Sequence, residues 1–297
     1  MRLHLVDGTF ELFRAHFSKR PAHVAPAGWQ AKATVGLADS LLALLREEGE
    51  GVTHAAVAFD NPIRSFRNDL FPGYKTEEGV PPELLAQFGP AEEAVRALGL
   101  TVWSMSEFEA DDALATGAAR FRGAVDQVRI LSPDKDLGQC IVGRRVVQVD
   151  RMRKRDIDEE ALRERRGVGP ESVPDYLALV GDEADGIPGV RGFGEKTASA
   201  LLAEFVHLEN VPEDPARWPR GLRGAETLAR ELHRRREDAE LYRRLATLVT
   251  DVPLPESLED LRWRGIPRHR FEGWCGELGA LALLRSLESG RVRWTDA

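Results

Sequence analysis

The chain is poor in cysteine and has no long apolar run. Its 297 residues include two cysteines, Cys140 and Cys275, too few for a disulfide framework and not spaced as a CxxC metal motif. We expect each to be a small buried residue rather than a nucleophile. The longest apolar runs, such as residues 41–45, fall far short of a membrane span. No basic-then-apolar leader precedes the first strand-like segment, so the sequence predicts a cytoplasmic protein without a membrane partner.

Basic residues are outnumbered as well. The sequence has 41 lysines and arginines against 49 acidic residues, a net charge of −8, whereas a protein that coats nucleic acid is normally basic. The basic residues are nevertheless clustered, at 151–155, 163–166, 191–196, 217–223 and 234–236. Two interpretations stay open for each cluster: a local contact with a polyanion, or a salt-bridged helix surface, which is at least as frequent.

Short apolar runs that end at an aspartate recur in the first half of the chain. They are Leu3–Val6 before Asp7, Ala55–Phe59 before Asp60, and Val128–Leu131 before Ser132-Pro133-Asp134. Such runs are typical of buried parallel strands, and helical patterns at 33–46, 82–98 and 110–121 alternate with them. The alternation predicts an α/β fold with a mostly parallel central sheet and flanking helices. Because sites in such folds lie beyond the carboxyl ends of the strands, we expect the three aspartates to converge there.

From about residue 170 the pattern becomes mostly helical. Segments 176–180, 196–205, 226–249 and 271–287 carry helical periodicity, and a proline-rich loop is expected at 211–219. We predict an α/β part at 1–170 followed by a smaller helical part at 171–297.

Acidic residues are concentrated in four places. They are Asp7 with Asp60, then Glu109, Asp111 and Asp112, then Asp134 and Asp136, and finally Asp182 and Asp185. Converging carboxylates suit Mg²⁺ or Mn²⁺, and two such ions about 3.5–4 Å apart can support an in-line phosphoryl displacement. The absence of histidine or cysteine clusters argues against zinc. Each motif alone is more often a turn or a helix cap, but together they favour a metal site.

Two further segments could contact phosphate. The stretch GIPGVRGFGEKTA is a glycine-spaced turn entering a helix, where backbone amides and a lysine can bind phosphate; a tight helix–helix turn is the equal alternative. Its candidate residues are Gly189, Arg191, Gly192, Gly194, Lys196 and Thr197. The second segment holds Arg64, Arg67, Tyr74 and Lys75, which could grip phosphates and stack on bases. Composition alone favours a solvated loop for that segment.

The motifs VDGTF, AFD, FEADD, SPDKD and LVGDEADGIPGVRGFGEKTA, in this order, resemble the 5′-nuclease family, which includes flap endonucleases and the N-terminal 5′-nuclease domain of bacterial DNA polymerase I. The resemblance runs from about Leu3 to the C-terminal leucine-rich helix. It implies a PIN-like α/β core, an arch or clamp at 62–89, and a helix-hairpin-helix at about 186–205. It also implies structure-specific 5′-3′ exonuclease or flap endonuclease activity on DNA, near the junction of a 5′ single strand with duplex.

The resemblance also implies site roles. Asp7, Asp60, Glu109, Asp111 and Asp112 would surround one Mg²⁺ or Mn²⁺, and Asp134, Asp136, Asp182 and Asp185 a second, with Asp111 shared. Lys75 would act at the scissile phosphate, and a potassium ion would bind at the helix-hairpin-helix. The partners would be DNA with 5′ ends or flaps, or RNA–DNA hybrids, acted on by a stand-alone monomer.

Two departures and three alternatives accompany this resemblance. The family usually has an arginine where this sequence has Glu78, and its TGDKD is here SPDKD. Glu78 leaves open a DNA junction-binding protein with little turnover. A PIN-type ribonuclease would normally lack the glycine hairpin and the helical part. A haloacid-dehalogenase-type phosphatase would need an aspartate where Leu5 stands, which argues against it.

Overall fold

The computed structural model describes residues 1–288 and 293–296. They divide into two compact units, and neither is continuous in sequence. The first unit comprises 1–63, 77–132 and 250–297, and the second comprises 64–76 and 133–249.

The elements are numbered here in chain order. The strands are β1 (Arg2–Asp7), β2 (His54–Asp60), β3 (Thr101–Met105), β4 (Gln127–Leu131), β5 (Val146–Asp150), β6 (Arg155–Ile157), β7 (Ile266–Pro267) and β8 (Trp294–Thr295). The helices are α1 (Gly8–Phe17), α2 (Lys32–Arg46), α3 (Arg67–Leu70), α4 (Pro82–Leu85), α5 (Phe88–Ala97), α6 (Ala110–Phe121), α7 (Glu159–Arg166), α8 (Val173–Val180), α9 (Glu195–Phe205), α10 (Ala225–Arg234), α11 (Arg236–Ala246), α12 (Arg268–Leu278) and α13 (Leu281–Glu288).

A parallel sheet organises the first unit, as predicted. Its strands run in the order β3-β2-β1-β4, with Leu3 of β1 opposite His54 of β2 and Val128 of β4. Every residue of β2 is buried, and only the first residue of β1 is half-exposed, which explains why these strands read as continuous apolar runs. Asp7 and Asp60 end β1 and β2, so both lie at the carboxyl edge of neighbouring strands.

Helix α1 begins directly after β1 and makes a close contact with β2. A Cβ atom at Gly8 would lie 2.6 Å from the ring of Phe59 and 2.8 Å from the carbonyl oxygen of Ala58. No larger residue fits there without a shift of the strand. The glycine of the VDGT motif therefore lets the chain turn immediately behind Asp7.

The predicted helix at 82–98 is wrong, because the segment forms two helices, α4 and α5. Pro90 lies in the first turn of α5, and a proline has no N–H to continue a preceding helix. Between the two helices, Oε1 of the buried Gln87 accepts hydrogen bonds from the N–H groups of Ala33 and Thr34, at 2.9 and 3.1 Å. These contacts satisfy donors at the start of α2.

Other expected helices also differ in their bounds. The segment 226–249 is divided at Arg235 into α10 and α11, and 271–287 is divided at Gly279 into α12 and α13. Helices α2 and α6 closely match the sequence pattern. Strands β3, β5 and β6 and helix α7 were not predicted. Strands β3 and β6 are partly exposed and α7 is short and mostly polar, so their periodic signal is weak, whereas β5 is fully buried but its apolar run is interrupted by Gln148.

Helices pack around an apolar core in the second unit. The buried core includes Leu177 of α8, Leu201 of α9, Leu232 of α10 and Leu245 of α11. Several basic residues make ion pairs on the surface, as Arg163 does with Glu159 and Arg234 with Glu231. At 234–236 all three arginines are paired, which favours the salt-bridged interpretation, whereas at 163–166 Arg163 is paired and Arg165 and Arg166 make no ion pair within the described residues.

The two cysteines differ in exposure. Cys275 is fully buried, and burial raises the pKa of its thiol to about 12, which confirms the predicted small buried residue. Cys140 is only half-buried. Throughout the described ranges, no helix is both long enough and apolar enough to cross a membrane.

Candidate active site

The first acidic group, defined as Asp7, Asp60, Glu109, Asp111 and Asp112, belongs to the first unit. Two of its members end strands, and the other three lie at the start of α6. A direct contact joins these two places: the backbone N–H of Ala110 donates to Oδ1 of Asp60 at 2.8 Å. The end of β2 and the start of α6 are therefore held together.

The start of α6 is a capping box. Glu109 is the N-cap, and its carboxylate accepts a hydrogen bond from the backbone N–H of Asp112. In return, Oδ2 of Asp112 accepts the N–H of Glu109 at 3.0 Å. Asp112 is fully buried, whereas Asp111 is only half-buried. Glu109 and Asp112 therefore stabilise the helix start that presents Asp111, and the predicted sharing of Asp111 between two ions stays a prediction.

Both carboxylate oxygens of Asp7 are oriented by the protein. Oδ1 accepts the backbone N–H of Phe10 at 2.8 Å and caps α1, while Oδ2 accepts the hydroxyl of Ser132 at 2.9 Å. Thr9 instead holds the backbone of Asp60, since its Oγ1 accepts the Asp60 N–H at 2.8 Å. Sequence reasoning did not identify Thr9 or Ser132 as supports. Their position two residues from Asp7 and Asp134 in the motifs was the available signal.

The second acidic group, defined as Asp134, Asp136, Asp182 and Asp185, belongs to the second unit. Asp136, Asp182 and Asp185 each offer a carboxylate oxygen, and these oxygens all lie within 4.8 Å of one another. All three residues are buried. The predicted convergence of Asp134 with Asp7 and Asp60 stays a prediction.

Asp136 carries the strongest sign of an unmet charge. Its Oδ1 atom is buried and has no hydrogen-bond partner within residues 1–288 and 293–296. Burial raises the pKa of the Asp136 carboxyl well above its usual range, and the charges of Asp134, Asp185 and Asp182 raise it further. Such a group is stabilised by a proton or a cation. An all-oxygen set of this kind fits a hard divalent ion.

Tight turns position these acids. Asp182 and Ile187 exchange backbone hydrogen bonds of 2.8 and 2.7 Å after α8, and Oδ1 of Asp182 accepts the Ala184 N–H at 3.0 Å. Oδ1 of Asp134 accepts the Asp136 N–H at 2.9 Å. The alternative that these aspartates form turns is thus correct for Asp182 and Asp134. It does not exclude ligation, because turns bring the side chains together.

Two lysines neutralise part of the second acidic group. Lys75 Nζ lies 3.0 Å from Asp185 Oδ1, and Lys135 Nζ lies 2.6 Å from Asp182 Oδ1. Lys75 was predicted from the family resemblance, whereas Lys135 was not identified. Its signal was its place between two aspartates in SPDKD.

The segment before Lys75 is anchored within the second unit. Nδ2 of Asn68 donates to the Lys75 carbonyl oxygen at 2.8 Å. Gly186 has φ of 74°, and a Cβ there would lie 2.1 Å from the carbonyl oxygen of Gly73. Only glycine at position 186 permits this approach. The glycine after Asp185 therefore lets the segment before Lys75 lie beside the acids.

Two residues predicted to contact DNA are buried instead. Arg67 is fully buried; its Nε donates to the Leu245 carbonyl at 2.8 Å and its Nη2 to the Thr247 carbonyl at 3.0 Å. Tyr74 is 4% exposed and belongs to the apolar core. Their predicted contact with nucleic acid is therefore corrected to a structural role, because neither side chain is presented to solvent. Arg64 is exposed and pairs with Asp69 at 2.7 Å.

The glycine hairpin lies between α8 and α9. Gly189 has φ of 72°, and a Cβ there would lie 2.6 Å from the backbone nitrogen of Gly181, so a tight helix–helix turn is present. Gly192 also has a positive φ, and Gly194 is the N-cap of α9. Arg191 and Lys196 are exposed and make no ion pair in the described part of the chain, and Thr197 is half-buried. The hairpin thus presents two unpaired cations.

Known families match the chain over most of its length. Residues 2–167 match "5′-3′ exonuclease, N-terminal resolvase-like domain", and residues 168–269 match "5′-3′ exonuclease, C-terminal SAM fold". The 5′-3′ exonuclease of Aquifex aeolicus is 31% identical over 288 residues, which cover 96% of this chain and 95% of that protein. DNA polymerase I of Bacillus caldotenax is 35% identical over 97% of this chain. The chain spans only about a third, 32%, of that polymerase.

Among solved structures, T5 5′-exonuclease with bound divalent zinc ions has a similar fold. It aligns with a TM-score of 0.64 and 21% identity, over 83% of this chain and 89% of that chain. At this identity the likeness concerns the fold. It agrees with the parallel sheet and the helical second half described above.

Proposed function

The chain belongs to the 5′-3′ exonuclease family, and from this membership and the geometry of its acidic groups we propose that it is a divalent-metal-dependent nuclease. It would hydrolyse DNA phosphodiesters near the junction of a 5′ single strand with duplex, as a 5′-3′ exonuclease or flap endonuclease. The observation that carries the proposal is the buried Asp136, Asp182 and Asp185 set, with its unpartnered oxygen and raised pKa.

Both acidic groups suit divalent ions. The first group would hold one Mg²⁺ or Mn²⁺ and the second group another, since each consists of carboxylates without a histidine or cysteine. Bound ions of this kind lower the pKa of a water nucleophile and stabilise charge on the leaving oxygen of a phosphodiester. A potassium ion at the helix-hairpin-helix is part of the same proposal.

The chain's own residues prepare the site. Ser132 and the Phe10 N–H hold the two oxygens of Asp7, so its orientation is set before any ion binds. Lys135 holds Asp182 through its ion pair. The ammonium group of Lys75 lies beside the second acidic group. From this position it can donate to a phosphate oxygen and stabilise the negative charge that develops on the phosphate.

Nucleic acid would be bound outside the acidic groups. Gly189, Arg191, Gly192, Gly194, Lys196 and Thr197 are proposed to contact the duplex backbone through N–H groups and two unpaired cations. Arg64 is a candidate contact for the 5′ strand, in a clamp segment at 62–89 that carries Glu78. The division into a catalytic part at 1–170 and a DNA-binding part at 171–297, with the hairpin at 186–205, also stays a proposal.

The substrates proposed are DNA with 5′ ends or flaps, and RNA–DNA hybrids, bound by a monomer. This range of substrates is tested with a 5′-labelled flap duplex, an RNA hairpin and a phosphomonoester. Each is incubated with Mg²⁺, with Mn²⁺ or with excess chelator. We expect metal-dependent cleavage of the flap. Robust cleavage in chelator, or activity on the phosphomonoester alone, would overturn the proposal.

One variant separates a nuclease from a junction-binding protein with little turnover. Asp111→Ala removes a carboxylate from the first acidic group and should abolish cleavage while flap binding is retained. Asp251→Asn, an exposed acid in the same unit, is the matched control and should cleave normally. Flap binding without cleavage by the unaltered protein would favour the junction-binding alternative, and cleavage of the RNA hairpin alone would favour the ribonuclease.

A further inference from the structure

A cavity of about 600 Å³ opens within the second unit. It is formed by the end of α7, by α8, by the start of α9 and by strands β5 and β6. One wall is shared with the second acidic group through Asp134, Lys135 and Asp182. The lining also contains Arg165, Arg166, Tyr176 and Glu195, none of which the acidic motifs involve. Its volume is in the range of pockets for small ligands.

Tyr176 supplies a hydroxyl to this cavity. The residue is 7% exposed, and its hydroxyl makes no hydrogen bond to any residue in the described ranges. Burial raises the pKa of the hydroxyl and Glu195 raises it further, so it keeps its proton and can donate. Without a protein acceptor, this hydroxyl is available to donate a hydrogen bond to a ligand oxygen in the cavity.

Two arginines add unpaired positive charge. Nη1 of Arg166 donates to the Lys135 carbonyl oxygen at 2.8 Å, and its remaining donors, like the exposed Arg165, form no ion pair with residues 1–288 or 293–296. Arg163 in the same helix differs, since it pairs with Glu159 and Glu171. Arginine donors are suited to bidentate binding of phosphate.

Neighbouring acids offset these cations only in part: burial lowers the pKa of Arg166, against which the charges of Asp136 and Asp134 raise it, whereas Arg165 is exposed. Asp182 is already paired with Lys135, and Asp134 accepts the Asp136 N–H. Glu195 is exposed at the first turn of α9. The two arginines and the Tyr176 hydroxyl therefore supply the donors of the cavity, next to its acidic residues.

We propose that this cavity binds a nucleoside 5′-monophosphate, with the phosphate at Arg165, Arg166 and Tyr176. The volume exceeds what a bare phosphate fills, and Ile157, Leu162 and Pro133 provide apolar walls for the sugar and base. A phosphate monoester carries nearly two negative charges at neutral pH, which suits two unpaired arginines. The idea that the pocket receives the 5′ end of a degraded strand rests on the proposed function. Nucleotide binding itself does not depend on that function.

Calorimetric titration tests the pocket in excess chelator, where metal-dependent binding is removed. The probes are dAMP, deoxyadenosine and inorganic phosphate, added to the full chain. We expect dAMP to bind at least about fivefold more tightly than either other probe. Tyr176→Phe and Arg165→Gln should each weaken dAMP binding about fivefold or more, the effect of one lost hydrogen bond to a charged group. Arg163→Gln, on the same helix and outside the cavity, is the matched control and should bind dAMP normally.

Three results would overturn the pocket: no dAMP binding at millimolar concentration, equal binding of inorganic phosphate, or equal weakening by Arg163→Gln. Thermal unfolding of each variant verifies that it folds, and the conservative Tyr176→Phe change leaves the aromatic packing in place. Flap cleavage measured with Mg²⁺ separates this inference from the proposed function. Flap cleavage without dAMP binding overturns the proposed nucleotide binding alone. Binding of dAMP without flap cleavage supports the proposed nucleotide binding and overturns the proposed nuclease activity.

Discussion

Lys75 and Asp185 are joined twice: the Lys75 ammonium lies 3.0 Å from the Asp185 carboxylate, and the Lys75 backbone N–H donates to the Asp185 carbonyl oxygen at 3.1 Å. The segment 64–76 belongs to the same compact unit as the second acidic group. The lysine is therefore held to these acids by its backbone as well as by its charge. This double attachment defines what a change at Lys75 should affect.

Replacing Lys75 by alanine should lower the cleavage rate while leaving the fold intact. The proposed role is to stabilise charge on the phosphate, and loss of one such group typically costs about 10²–10³ in kcat. Single-turnover cleavage of a 5′ flap measures the rate. Lys75→Arg keeps the positive charge and should recover part of it; equal loss in both variants would argue for a packing role.

Arg67→Ala should destabilise the protein rather than weaken DNA binding selectively. The truncation leaves the Leu245 and Thr247 carbonyls without their donor in a buried place, which should cost about 2–4 kcal/mol. Urea denaturation gives the free energy of unfolding. Arg64→Ala, an exposed neighbour, should change it by less than about 0.5 kcal/mol. If Arg67→Ala keeps normal stability but no longer binds the flap, Arg67 contacts DNA as the sequence predicted.

Asp136→Asn should have opposite effects with and without metal. Without metal, it removes a buried carboxylate whose pKa is raised by burial and by neighbouring acids, so the melting temperature should rise. With metal, it removes a proposed ligand. The unaltered protein should gain about 2.7 kcal/mol at a metal concentration of 100 times Kd, and Asp136→Asn much less. Thermal scans with Mn²⁺ and with chelator measure both effects, and an identical metal-dependent shift in the variant would contradict the site.

Metal affinity should also fall on acidification. Because the pKa of Asp136 is raised above its ordinary value of 3.8, a proton competes with the ion at higher pH than for an ordinary aspartate. Mn²⁺ titrations at a series of pH values measure this competition. The decrease should be weaker in Asp136→Asn, which cannot bind that proton.

Acid should weaken the first unit through Glu50. Its carboxylate accepts from His4 at 3.0 Å and from Arg129 at 2.7 Å. The hydrogen bond from His4, followed by those from Arg129, lowers the pKa of Glu50 to about 2, against an ordinary 4.5. A lowered carboxyl pKa gives stability that is complete above pH 4.5 and is lost as the pH falls towards 2.

Glu50→Gln tests this dependence. The variant should be less stable at neutral pH, and its free energy of unfolding should change less between pH 4.5 and pH 2. Denaturant unfolding at each pH measures the slope. Glu47→Gln, an exposed neighbour, is the control and should keep the steep dependence. A steep dependence retained in Glu50→Gln would assign the acid sensitivity to other groups.

Local sequence patterns predicted much of the fold and identified the acidic residues of the candidate site. The runs before Asp7 and Asp60 predicted β1 and β2, because strands buried on both faces are continuous apolar segments. The acidic residues before the apolar stretch at 113–115 predicted the start of α6, because carboxylates cap helix N-termini. Pro90 was the local signal that 82–98 could not be one helix, and the periodic pattern masked it.

Contacts between distant residues decided the rest. The sequence by itself determined the strand-and-aspartate pattern, the acidic motifs and the family. Only the tertiary structure decided that Arg67 is buried against residues 178 and 180 positions away, that Ser132 holds Asp7, and that Lys135 pairs with Asp182. The physical reason is that periodicity and capping act over a few neighbouring residues, whereas the partner of a charge depends on which segments the fold brings together.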